Sequence, residues 1–106
     1  MRVLFDQGTP VPLRKFLDQH SVETAFELGW SQLKNGELLA HAEAAGYEEF
    51  VTTDQNLRYQ QNLPARMIAI VVLSTTSWPR IKASQELVVA AIDQAMTRSF
   101  AEVEIL

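Results

Sequence analysis

The stretch that decides the fold is MIAIVVL, residues 67–73. A strand with one wet face alternates apolar and polar residues. An unbroken apolar run of this length reads instead as a strand covered on both faces, as in parallel sheets. It is far shorter than the ~20 residues a membrane helix needs. On its C-terminal side lies the loop STTSWP, after which Pro79 opens a long helix. Ile81, Val88, Ala91, Ile92, Ala95 and Met96 share one face of that helix, and AEVEIL alternates as a last edge strand would.

Working back from the run, residues 57–66 (LRYQQNLPAR) are polar and read as a short helix or a loop broken near Pro64. Phe50 to Thr53 makes a further strand. Before it, NGELLAHAEAAG has Asn35 as N-cap, an apolar stripe of Leu38, Leu39, Ala42 and Ala45, and Gly46 where a helix C-terminal glycine belongs. Val22 to Phe26 reads as a second strand and Val3 to Phe5 as the first. Between them Pro10 and Pro12 suit a helix entry, with Leu13, Phe16 and Leu17 at helical spacing. Strands alternating with helices predict an α/β domain with a central, mostly parallel sheet. Residues 1–106 read as one domain, without repeat or linker.

Composition narrows the function. The chain is 47 % hydrophobic and 21 % charged, as a globular domain is. It has no cysteine, which excludes a disulfide framework, thiolate metal sites and cysteine nucleophiles. A net charge of −4 leaves no general basic surface for nucleic acid, so any such contact needs a local patch. Asp6 falls where a signal peptide would have its apolar core, so a cytoplasmic protein beginning at Met1 is expected.

Two aspartates stand out. RVLFDQG carries Val3–Phe5 into Asp6, and FVTTDQN carries Phe50–Thr53 into Asp54. Sites in open parallel sheets form beyond the carboxyl ends of the strands. If the two strands are neighbours, both carboxylates enter one crevice, and Glu37 in the first turn of the mid-chain helix is the candidate third acid. Each has an ordinary explanation: an aspartate after a strand forms turns, and Glu37 gains from the helix dipole. Together they would repel, each pair by about 4 kcal/mol at ~4 Å and an effective dielectric of ~20. Such a cluster calls for protons or a cation, and oxygen ligands point to Mg²⁺ or Mn²⁺.

With these residues in hand, the chain resembles the PIN-like families, most closely the short DUF5615-type proteins. The likeness rests on RVLFDQGTP, the acid in NGELLAHA, FVTTDQNL and the strand IAIVVL, and it spans nearly the whole chain. It implies a three-layer fold with helices flanking the sheet. It also implies a Mg²⁺- or Mn²⁺-dependent ribonuclease, often the toxin of a toxin–antitoxin pair, with Asp6, Glu37 and Asp54 as catalytic and metal-holding acids. The chain departs from the family patterns at Gln7, where relatives carry Glu, and at Asn56, where they carry a second Asp. Asn56 would offer the metal an oxygen without charge.

The remaining candidates surround this centre. Arg58, Arg66, Arg80 and Lys82 follow the two strand ends and are placed to bind phosphates, or are simply surface charges. Tyr59 could stack on a base or be half-buried, and Gln60, Gln61 and Asn62 could line a groove or a wet helix face. Ser74 to Ser77 could bond the aspartates or a phosphate, or merely start the last helix. Trp30 and Trp78 read as packing residues, one of them at a homodimer contact, and His20 and His41 as surface or partly buried. Three functions compete: a metal-dependent ribonuclease with an RNA substrate and an antitoxin partner; a non-catalytic PIN-like module that binds a protein or RNA; and a phosphotransfer enzyme, for which no aspartyl nucleophile is marked.

Overall fold

The computed structural model describes residues 1–59 and 66–106, apart from the side chains of Asn35 and Arg58. Five strands form one sheet: β1 (Arg2–Phe5), β2 (Ser21–Thr24), β3 (Glu49–Thr52), β4 (Ala69–Leu73) and β5 (Phe100–Val103). Their order is β2-β1-β3-β4-β5, and every pairing is parallel. All five residues of β4 are buried, which is why its sequence shows no alternation.

Both faces of the sheet are covered. Val3, Phe5, Val51 and Val71 face a layer made by Leu13 and Leu17 from the β1–β2 connection together with Ile81, Val88 and Ile92. Leu4, Phe50, Ile70 and Val72 face the other way, onto Leu38, Leu39, Ala42 and Leu57. This is the three-layer α/β arrangement. Each fully buried large aliphatic side chain contributes roughly 1.5–3 kcal/mol, so the two alternating sets of the central strands hold the layers together.

The helices differ from the expected ones in instructive ways. The Pro10–Pro12 segment forms a six-residue 3₁₀ turn, Val11–Phe16, too short for the regular helix its spacing suggested. Helix α1 spans Asn35–Ala44, so Asn35 is its first residue and Lys34 the cap; Gly46 follows with φ +87°. Leu38, Leu39 and Ala42 are buried as expected, whereas Ala45 is exposed. The long C-terminal helix is two helices, α2 (Trp78–Ala83) and α3 (Gln85–Gln94). Ser84, at ψ 24°, ends one and starts the next, while Ile81, Val88 and Ile92 stay on one side. Met96 lies past α3 and is 69 % exposed, so it does not share that face. Ser77 caps α2 by accepting from the Arg80 amide. Trp78 stacks near Phe16 at 6.0 Å, and Trp30 meets His41 and Tyr47 edge-on, so both tryptophans pack.

One core position is polar. Glu49, the first residue of β3, lies between Val3 and Ala69 in register and is fully buried. Neither carboxyl oxygen has a hydrogen-bond partner among the described residues. Burial above all, then the nearby Asp93 carboxylate, pushes its pKa up to about 8, with the chain's terminal ammonium pulling slightly the other way. Asp93 itself is bound at 2.6 Å by His20 Nε2.

Candidate site at the carboxyl edge of the sheet

The strand order sets the position of the site. From β1 the chain moves outward to β2, then crosses back over β1 to β3. The first connection lies on one face and α1 on the other. Connections that diverge in this way open a crevice at the carboxyl ends of β1 and β3, the usual ligand position in open α/β sheets. Asp6 follows β1 directly and Asp54 stands two residues past β3, one residue farther than the sequence suggested because β3 ends at Thr52.

Asp6 is rigidly held. Its amide donates to Val51 O at 3.1 Å, continuing the β1–β3 ladder. Its side chain is buried, and Oδ1 accepts from the Thr9 amide at 3.0 Å and lies 2.6 Å from Thr9 Oγ1. Oδ2 accepts from Thr52 Oγ1 at 2.5 Å. The Thr52 hydroxyl in turn accepts from the Asp54 amide at 3.0 Å. One threonine therefore joins the Asp6 carboxylate to the Asp54 backbone. Asp54 Oδ1 accepts from the Asn56 amide at 2.9 Å, and its carbonyl accepts from Leu57 N, opening the 3₁₀ turn Leu57–Tyr59. The two loops touch closely: a Cβ on Gly8 would stand 2.3 Å from Thr53 Oγ1.

The other expected residues are distributed around this pair. Glu37 is exposed in the first turn of α1, in the favourable end of the helix dipole. It is not gathered with the aspartates: among the described residues no three His, Cys, Asp or Glu side chains are close enough to hold one metal. Asn56 is exposed beside Asp54. Arg80 and Lys82 are exposed on α2, which begins beyond the carboxyl end of β4. Arg66 turns away, donating to Gly36 O at 3.4 Å and pairing with Glu43 at 3.8 Å. Arg58 belongs to the turn Leu57–Tyr59, but its side chain lies outside the description, as do Gln60, Gln61 and Asn62. Tyr59 is 70 % exposed, not half-buried. Ser74 bonds the Ile105 amide at 2.7 Å, which fastens the chain after β5.

Sequence reasoning missed the ground beside Asp6. A pocket of about 320 Å³ opens there, lined by Val11, Thr24, Phe26 and Glu27 as well as Asp6, Gln7 and Thr9. Phe26 is not part of a strand, because β2 ends at Thr24. Thr24 Oγ1 accepts from the Glu27 amide at 3.1 Å, and Glu27 Oε1 accepts from the Thr24 amide at 3.0 Å. These reciprocal bonds are a capping box, and the signal TAFE was present in the sequence. The same Glu27 oxygen receives Arg14 Nη1 at 2.8 Å, and this bond, with the Thr24 amide, holds the Glu27 pKa below its usual value.

The fold and site define an open parallel α/β protein in which Asp6 and Asp54 follow the neighbouring strands at the reversal of strand order, the Asp6 carboxylate joined through Thr52 to the Asp54 backbone. Of the family models, curated proteins and solved structures compared with the chain, none matches. No helix among the described residues is long and apolar enough to cross a membrane.

Proposed function

We propose that the chain is a metal-dependent ribonuclease of the PIN-like type, with Asp6 and Asp54 at its centre. The observation that supports this reading is their position on neighbouring strand ends at the switch point, joined through Thr52. The donor set suits Mg²⁺ or Mn²⁺ held by two carboxylates, since such ions keep several waters and use one or two protein carboxylates. Asp6 and Asp54 would hold the ion, and Asn56 would add a neutral oxygen. When bound, the ion would supply an activated water for attack on a phosphodiester. Thr9 and Thr52 fix the Asp6 carboxylate, so the charge is positioned before substrate arrives. Arg80 and Lys82 on α2 would meet substrate phosphates. A cytoplasmic toxin with an antitoxin partner, or a homodimer, fits this reading.

A second reading has an observation of its own. Asp6 and Asp54 already accept hydrogen bonds that build their loops, and Glu37 stands apart. A non-catalytic module that binds RNA or protein needs no more than that. Cleavage of single-stranded RNA by wild type, Asp6→Asn and Asp54→Asn, with and without Mn²⁺, separates the two. Mn²⁺-dependent cleavage lost in both variants supports the nuclease. Absent cleavage in every protein supports the module, whereas cleavage that needs no metal or survives Asp6→Asn belongs to another site or a contaminant.

A further inference from the structure

The pocket beside Asp6 has a composition that selects its occupant. Phe26 is 78 % exposed, a costly position for an aromatic ring. The exposure is built in, because the Thr24–Glu27 box fixes the turn that carries it. Val11, also exposed, faces it from the loop after β1. Between these apolar walls the charged groups are the carboxylates of Asp6 and Glu27, and among the described residues no lysine or arginine lines the pocket. Arg14 is already engaged by Glu27 and by Val22 O. Gln7 spends its amide NH₂ on Ser31 O, which leaves its carbonyl as an acceptor.

A phosphate would be repelled from such a pocket. A flat, uncharged group rich in donors is favoured on both counts. We propose that the pocket receives one unpaired nucleobase, stacked on Phe26, and prefers bases with an exocyclic amino group over uracil. Adenine, cytosine and guanine present NH₂ donors to the Glu27 carboxylate and the Gln7 carbonyl, whereas uracil presents mainly carbonyl oxygens. The pocket volume of about 320 Å³ accommodates one base with part of its sugar. This inference rests on the ribonuclease reading for its substrate, with the base-binding subsite next to Asp6.

The test uses the full chain and a short single-stranded RNA carrying one 2-aminopurine, whose fluorescence falls on stacking. Wild type should quench it. Phe26→Ala should bind about tenfold more weakly, Phe26→Trp should restore binding, and an abasic replacement should remove the difference between variants. Oligouridine should bind more weakly than an oligomer of adenine or cytosine. Circular dichroism checks that Phe26→Ala folds, which its exposure favours. Equal binding by wild type and a folded Phe26→Ala, or by base-containing and abasic RNA, overturns the proposal. Cleavage is scored separately. Phe26-dependent quenching without cleavage keeps the base pocket and ends the nuclease reading; cleavage indifferent to Phe26 does the reverse.

Discussion

Glu49 makes stability depend on pH in a direction opposite to that of most carboxylates. Its pKa is raised to about 8 in the folded chain, from a reference of 4.5. Below 4.5 both folded and unfolded chains hold the proton, and Glu49 costs nothing electrostatically. Between 4.5 and 8 the unfolded chain releases it and the folded chain keeps it. The folded state then binds more protons, so stability falls as pH rises, by ~1.4 kcal/mol per unit. Over the span from 4.5 to pH 7 the loss is about 3 kcal/mol, and above 8 it levels off near 5 kcal/mol. Against a total of roughly 5–15 kcal/mol that is a large fraction. Glu49→Gln keeps the shape and removes the proton site. Urea unfolding of both proteins from pH 5 to pH 8 measures the difference. Near pH 5 the variant should equal wild type or fall below it, since its amide is also buried without partners. Toward pH 8 it should become the more stable by a few kcal/mol. Parallel stability curves for the two proteins would refute the reasoning, because they would mean that Glu49 is solvated or paired in solution.

Three further outcomes are expected. Mg²⁺ or Mn²⁺ at ~10 times Kd should stabilise the protein by about 1.4 kcal/mol, raising Tm by roughly 5–10 °C; Asp54→Asn should abolish most of that response while leaving the metal-free protein within about 0.5 kcal/mol, because an amide oxygen can still accept from the Asn56 amide, and an unchanged response would put the ion elsewhere. Asn56→Asp should tighten Mn²⁺ binding by calorimetry and raise any cleavage, and no change in affinity would remove position 56 from the site. Gly8→Ala should cost about 1 kcal/mol by forcing the Thr53 hydroxyl aside, and Thr53→Ala in the same chain should recover most of the loss; additive effects in thermal unfolding would show that the two loops do not press on each other.

What the sequence disclosed and what it hid follow one division. Runs whose environment is uniform were legible: AIVVL, residues 69–73, is apolar throughout because both sides of β4 are covered, although Met67 at the start of the run lies outside the strand and is exposed, and Asp6 and Asp54 mark strand ends because the chain turns polar there. Features that depend on a partner elsewhere were not. The break at Ser84 is invisible in a stripe that continues across it. Phe26 looks like a strand residue until the Thr24–Glu27 box turns the chain. Glu49 follows Glu48 and looks solvated, yet the register that puts Val51 beside Phe5 also puts Glu49 beside Val3, in the interior. Glu37 shows the converse limit, since an acid at a helix start reads the same whether or not other acids come near it.

The strand order also bears on how the chain acquires its structure. No two neighbouring strands of this sheet are joined by a hairpin, so no pairing forms locally. Phe5 meets Val51 across 46 positions of chain, whereas it meets Thr24 across 19. Loop closure must precede the contacts that reward it, which slows sheets of this kind. Until β3 is in place, the inner edge of β1, with its Val-Leu-Phe sequence, is open to any other strand it meets. Misassembly should therefore concentrate at this edge, and refolding yield should fall with protein concentration even where the finished fold is stable.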